Sequence, residues 1–238
     1  EGTLGIITGA TIKLYPQPTM KATSIVSLDS TSNALKLFAM ARQRMDSALT
    51  GFEFFSEECL NLVLRHFDDA RAPVQTKGRW YVLIELSQMQ GQDEVRQQLQ
   101  ALLEEAIEHH VITDGAVAES IAQEQDFWAL RERIAEAMAK SGKSIKHDLS
   151  VPISAIPQFL EEADAAISAK WPDICFIVFG HLGDGNIHYD FIAAEGEDQD
   201  VFYSKQHEIN RITHDIVRNP GTDCRCLIAS ESDRLVEH

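Results

Sequence analysis

The chain has 238 residues, 44% of them hydrophobic, with 21 basic against 37 acidic side chains and a net charge of −16. That length suits one large domain or two small ones, and the hydrophobic share supports a sizeable core rather than a disordered chain. The acidity argues against nucleic acid or an anionic membrane surface as partner, because phosphate binding needs surplus Lys and Arg, and no apolar run approaches the roughly 18 residues of a membrane span.

The sequence opens at Glu1-Gly2-Thr3 without a methionine and reads as a piece of a longer protein with no visible export leader. Alternation over residues 5–14, GIITGATIKL, predicts a strand that the prolines of YPQP close. KATSIVSL predicts a second strand. STSNALKLFAMARQRM follows with a Ser/Thr cap and apolar residues at helical spacing, Leu35, Phe38, Ala39 and Ala41 among them. SALTGFEFF reads as a strand, and SEECLNLVLRHF as a helix capped by Ser56 with acids in its first turn. After the polar loop DDARAPVQTKG, RWYVLIELS is a strong strand, and residues 92–110 are a helix with Val95, Leu99, Leu102, Leu103 and Ile107 on one side.

ITDGAVAES then predicts a strand, EQDFWALRERIAEAMAK a helix, and SIKHDLSVP a strand ended by Pro152. SAIPQFLEEADAAISAKW is a helix whose Pro157 belongs in the first turn. DICFIVFG and NIHYDFIAA form a hairpin around LGDG, and DQDVFYSKQHEINRITHDIVR is the last helix. The strand–helix–strand order recurs twice with hairpins mixed in. This predicts an α+β fold: an antiparallel sheet covered by helices, built from duplicated ferredoxin-like units with the long helices on one face. Cys59, Cys175, Cys224 and Cys226 lack disulfide-framework spacing, so a reducing, cytoplasmic compartment is expected, with Cys175 a core thiol.

The stretch FGHLGDGNIH carries the densest chemistry. If its flanking strands pair, His181 and His188 stand near facing strand ends. Side chains there approach within about 5 Å, close enough for two imidazoles to share one metal at about 2.0–2.1 Å from each nitrogen. Glycines 180, 183 and 185 allow a tight turn and close approach, and Asp184 and Asn186 can brace it. The plainer alternative is a glycine-rich hairpin that happens to hold two histidines; a catalytic metal normally has three protein ligands, so a third must come from elsewhere.

Arg131 in FWALRERI and Lys146 in SIKHDLSVP could converge on a carboxylate, Arg as a bidentate fork and Lys as a point charge. Against this, Glu132 and Glu136 lie near Arg131 and Arg133, as in ordinary solvated helix pairs. Glu53 in FEFF reads either as a buried acid facing a pocket or as an acid facing solvent. His207 and His214 read as surface or packing residues, and His109-His110 as complementing a helix C-terminus. Cys224 and Cys226 have no further ligands at metal spacing.

On these residues the chain resembles the FAD-linked oxidases of the vanillyl-alcohol-oxidase type, in the D-2-hydroxyacid dehydrogenase branch. EGTLGIITGATIKLYP resembles the end of the family's FAD-binding domain, FWALRERI with IKHDLSVP its substrate-carboxylate region, and GHLGDGNIH its metal-binding histidine motif. The resemblance implies a remnant of the FAD domain over 1–14, a substrate-binding domain over 15–218 and an atypical tail over 219–238. It implies FAD contacts from Gly2, Thr3, Gly5 and Ile7, substrate contacts from Arg131 and Lys146, and a divalent ion, zinc by preference, on His181 and His188. The implied reaction oxidises a small D-2-hydroxy acid of the lactate, glycolate or hydroxyglutarate class. The metal polarises the hydroxyl, a base takes its proton, and hydride passes to the flavin. A homodimer is allowed for, and the electron acceptor is left open.

The sequence also departs from that pattern. The family's adjacent Glu-His pair, ligand and base, is matched only by the terminal Glu237-His238, without the usual surroundings, so no catalytic residue is assigned and the fragment is expected to be inactive alone. Ala135 and Asp190 stand where hydroxyglutarate-oxidising relatives often have Thr and Asn. Two rival readings stay open: a metal-dependent hydrolase at His181 and His188, and a non-catalytic small-molecule-binding module.

Overall fold

The computed structural model describes residues 5–14, 18, 20–89 and 92–218. Its centre is an eight-stranded antiparallel sheet with neighbour order β4-β1-β3-β2-β7-β8-β5, where β6 also pairs with β8. The first unit runs β1 (Met20–Leu28), α1 (Thr31–Met45), β2 (Leu49–Ser56), β3 (Trp80–Gln88), α3 (Gln92–Glu108) and β4 (Asp114–Val117), with α2 (Glu57–His66) inserted between β2 and β3. Its strand order, β4-β1-β3-β2, is that of a ferredoxin-like unit. The second unit repeats the scheme. β5 (Ser144–Ile145) and β6 (Asp148–Ser150) share the first-strand role, followed by α6 (Ile156–Ser168), β7 (Cys175–His181), β8 (Asn186–Ile192), α7 (Gln199–Tyr203) and α8 (Gln206–Val217). Among the described residues this second unit has no fourth strand.

The units join where β2 pairs with β7, through Glu53↔His181, Phe54↔Gly180 and Phe55↔Phe179. Three residues of the stretch FGHLGDGNIH, Phe179, Gly180 and His181, therefore lie on the seam between the repeats.

The helices start where their caps are. Ser30 accepts from the Asn33 N–H, Ser56 from Cys59 and Ser120 from Gln123, each satisfying a backbone donor that the first turn leaves open. Pro157 falls in the first turn of α6. The inner face of α1 is Ala34, Leu37, Phe38, Ala41 and Met45, while Ala39 faces solvent and Leu35 is half-buried. On α3 the buried stripe ends at Ala106, and Ile107 is exposed.

Four expectations are corrected. Helices cover both faces, not one: α1, α3, α6 and α8 pack on the larger core, with Leu37, Phe54, Leu99 and Phe159, while α2 and the segment between β4 and β5 pack on a second core with Ile25, Phe55, Val63 and Met138. The central strands are therefore buried on both sides, and in β3 the run WYVLI is continuously apolar. Residues 5–14 form no strand, and Ile6, Ile7, Ile12 and Leu14 are exposed; alternation makes a strand only where a sheet edge pairs with it, and none does so among the described residues.

The helix expected over residues 124–140 begins instead at Ser120 and divides at Arg133 into α4 (Ile121–Glu132) and α5 (Ile134–Ser141). The Arg133 guanidinium bonds Asp69 at 2.9 Å and lies over the Phe67 ring. The strand expected over SIKHDLSVP is likewise interrupted at Lys146-His147, where the His147 N–H donates to the Asp190 carboxylate and the Tyr189 N–H to the His147 carbonyl.

Candidate functional site

The β7–β8 turn closes because two of its glycines are required. Gly185 has φ +70°, and a Cβ on it would lie 2.2 Å from the Val151 carbonyl oxygen. A Cβ on Gly180 would lie 2.3 Å from the Asn186 carbonyl oxygen, across the hairpin. Gly183 has only the Phe38 ring at ordinary packing distance.

Strand alternation puts Phe179 and His181 of β7 on the same face as Asn186, His188 and Asp190 of β8, and Glu53 of β2 joins them through its pairing with His181. The His181 and His188 rings stand 6.3 Å apart between centroids, at 73°. That is within reach of one ion bound at about 2.0–2.1 Å from each nitrogen. His188 is half-buried, and burial first of all lowers its pKa, reinforced by the charges of Arg131 and His181 and opposed by Asp148 and Glu53. A neutral imidazole is the form that binds metal. Asp148 faces His188 across β6–β8 and accepts from the Asn186 amide at 2.7 Å. Two imidazoles fit a divalent ion in kind, yet among the described residues no group of three or more His, Cys, Asp or Glu could hold one.

Arg131 is not a solvated helix arginine. It sits in the last turn of α4, buried, with its Nε and Nη2 both 3.0 Å from Glu53 Oε2. Glu53 Oε1 lies 2.7 Å from His181 Nδ1. The guanidinium also covers the Phe179 ring, 4.7 Å from its centroid, and Phe179 stacks on His188 at 4.6 Å and 23°. One arginine thus braces both imidazoles, His181 through a carboxylate and His188 through a phenyl ring.

Lys146 is exposed at the break between β5 and β6, and its charge acts on Asp190. Burial pushes the Asp190 carboxyl up to about 7, with Asp148 adding to the rise and the His147 N–H and Lys146 opposing it. The structure therefore gathers Arg131, His181 and His188 into one network and sets Lys146 farther along the same face of β8, beside Asp190. Gly5 and Ile7 lie in the exposed segment 5–14, outside any helix or strand. Gly2, Thr3, Cys224, Cys226 and the Glu237-His238 pair are outside the described residues.

The residues left open or unremarked in the sequence are Glu53 and Phe179. Glu53 carried a usable signal: a charge inside the otherwise apolar run FEFF must be paired when that strand is central. The remaining candidates are structural. His214 is buried, its ring edge-on to His147 at 5.7 Å, while His109, His110 and His207 are exposed. The Cys59 thiol is pushed up to about 12 by burial and is inert, and Cys175 is half-buried rather than a full core thiol. No helix among the described residues is long and apolar enough to cross a membrane.

Comparison with known proteins supplies the frame. Residues 17–222 match the family FAD linked oxidases, C-terminal domain. The chain is 34% identical over 202 residues to the mitochondrial D-2-hydroxyglutarate dehydrogenase of Arabidopsis thaliana, covering 84% of this chain and 35% of that protein. It is 33% identical over 218 residues to the D-2-hydroxyglutarate dehydrogenase of Stutzerimonas stutzeri (strain A1501), covering 92% of this chain and 46% of that one. The chain thus spans less than half the length of these relatives. Among solved structures, alkyldihydroxyacetonephosphate synthase superposes with a TM-score of 0.64 at 12% identity, over 92% of this chain and 43% of that one; at that identity the likeness speaks to the fold.

Proposed function

The chain belongs to the FAD-linked oxidase family, as its C-terminal domain, and on that premise we propose that it forms the substrate-orienting part of a flavin-dependent dehydrogenase of D-2-hydroxy acids. The observation that carries this reading is the buried network in which Arg131, Glu53 and Phe179 hold His181 and His188 side by side at the seam of the two repeats. The relatives' names favour a dicarboxylate, D-2-hydroxyglutarate, over lactate.

In this reading a bound flavin supplies the hydride acceptor, and a divalent ion held by His181, His188 and a donor from outside the described residues supplies Lewis acidity. The chain's own residues do the rest. Arg131 offers substrate the Nη1 edge that Glu53 does not use, against a dry phenyl ring. Lys146 adds a mobile positive charge farther along the same face, so that a carboxylate is held by charge in a protein whose overall field repels it. The fixed imidazoles orient the hydroxyl-bearing carbon by preorganisation, which places an entropic cost in folding rather than in binding. Gly5 and Ile7, with Gly2 and Thr3, are assigned to the flavin side.

Calorimetric titration of the 238-residue chain with D-2-hydroxyglutarate and D-lactate, with and without Zn²⁺, tests the reading. The expected result is Zn²⁺-dependent binding, tighter for the dicarboxylate and weakened about tenfold by Lys146→Met, as for loss of one charged hydrogen bond. No binding of either acid in the presence of Zn²⁺ would overturn it. FAD added to the chain with either acid is expected to stay oxidised.

A further inference from the structure

We infer that Glu53 is a positioning residue that fixes His181 as its Nδ1–H tautomer and thereby turns Nε2 into a bare lone pair at the mouth of the site; the inference deepens the reading above and rests on it only for what Nε2 then binds. Glu53 is the one charged side chain in a strand segment whose neighbours Phe52, Phe54 and Phe55 are all buried. A carboxylate there is tolerable only if both oxygens are satisfied. They are: Oε2 accepts from Nε and Nη2 of Arg131, and Oε1 faces Nδ1 of His181 at 2.7 Å.

The tautomer follows from counting donors. A carboxylate paired with a guanidinium has only acceptor sites, so the atom facing Oε1 must be a donor. A neutral imidazole has one N–H, and spending it on Glu53 leaves Nε2 unprotonated. The geometry turns the free nitrogen outward, because the His181 side chain is 48% exposed while that of Glu53 is 9% exposed. A carboxylate behind a ligand histidine also stops its ring from turning. A plain structural ion pair between Glu53 and Arg131 would have no need to choose a histidine tautomer, and that difference makes the role measurable.

Long-range ¹H–¹⁵N correlation spectra of the metal-free chain, at a pH where imidazoles are neutral, read the tautomer directly. Wild-type His181 is expected to show a protonated Nδ1 and a bare Nε2; the opposite pattern overturns the inference without any variant. In Glu53→Gln, the two Arg131 donors claim the amide oxygen, so the amide NH₂ faces Nδ1 and the tautomer inverts. In Glu53→Gln with Arg131→Met, the amide is free to turn its oxygen toward His181, and the Nδ1–H form returns. An unchanged tautomer in a Glu53→Gln protein with a well-dispersed spectrum overturns the inference as well.

Zn²⁺ affinity measured on the same samples is expected to fall about ten- to a hundredfold in Glu53→Gln. If the wild-type chain binds no Zn²⁺ while the tautomers move as stated, the ion reading fails and the positioning role of Glu53 stands.

Discussion

His188 lies flat against Phe179, with ring centroids 4.6 Å apart and planes 23° from parallel. The same phenyl ring also carries the Arg131 guanidinium, 4.7 Å from its centroid, so the buried Phe179 touches both a cation and an imidazole. Burial is the first cause of the lowered His188 pKa. Phe179→Leu opens that stack to water, and the His188 pKa is expected to rise toward its ordinary value, read by NMR titration of the metal-free chain. No rise would show that the ring does not desolvate the imidazole. The lost cation–π and packing contacts should cost about 1–2 kcal/mol of stability. The sign of the linkage is definite. The folded state refuses a proton that the unfolded chain accepts, so the His188 contribution is present above the ordinary value of 6.5 and is lost as pH falls through the lowered one.

Arg131 and Glu53 are both nearly buried, with side-chain exposures of 11% and 9%. Removing only the cation strands a carboxylate. Arg131→Met is therefore expected to destabilise the chain by about 3–5 kcal/mol in urea unfolding, well beyond an ordinary surface change. Neutralising both, with Glu53→Gln added, should recover most of that loss, since replacing a buried pair by neutral groups is often tolerated. A double variant no more stable than Arg131→Met would mean that the pair is not energetically coupled.

Features written in local chemistry were readable from the residues alone. The serines at 30 and 56 cap their helices, Pro157 opens α6, and the Gly-rich hairpin pairs its strands so that His181 and His188 share a face. What stayed hidden depends on which elements pack together. Arg131 looked like a solvated helix residue because Glu132 and Glu136 are close in sequence, whereas its partner Glu53 is 78 residues away. Glu53 could not be placed inside or outside until β2 was known to sit at the seam between repeats. The second helical layer was missed for a related reason: Thr23, Ser27 and Glu53 alternate with apolar residues and read as a solvent face although they are buried, and the covering helices α2, α4 and α5 are insertions outside the repeat. The segment 5–14 has the alternation of a strand, but among the described residues no strand pairs with it.

Asp190 is buried, and burial lifts its carboxyl to about 7 from an ordinary 3.8. A raised acid pKa means that the folded state holds a proton the unfolded chain releases. The associated stability is fully present below about pH 4 and declines as pH rises through about 7. Asp190→Asn keeps an oxygen for the His147 N–H and removes the titration. The variant is expected to be more stable than wild type at pH 8, by on the order of 2–4 kcal/mol, and to lose the downward slope between pH 4 and 7, in thermal melts with EDTA present. Parallel slopes for the two proteins would show that Asp190 is charged in the fold throughout.

Glycines within the hairpin and just beyond it, in the loop between β8 and α7, separate backbone strain from crowding, and so test whether the imidazole pair depends on hairpin closure. Gly196 has φ +80° with nothing within 4 Å of a built Cβ, so Gly196→Ala meets only backbone strain and should cost about 1–2 kcal/mol. Gly180 has an ordinary φ, but a Cβ there meets the Asn186 carbonyl oxygen at 2.3 Å and the Ile187 Cα at 3.0 Å. Those atoms are backbone of the partner strand and cannot rotate away, so Gly180→Ala must push β7 and β8 apart next to the His181↔Asn186 pair. The expected loss is at least about 2 kcal/mol, accompanied by weaker Zn²⁺ binding because the two rings no longer hold their 6.3 Å spacing. Gly196→Ala should bind Zn²⁺ as the wild type does, and Gly183→Ala, which meets only the edge of Phe38 at 3.4 Å, should fold nearly as well. If Gly180→Ala binds Zn²⁺ with wild-type affinity at a temperature where it is folded, the closed hairpin is not what brings the imidazoles together.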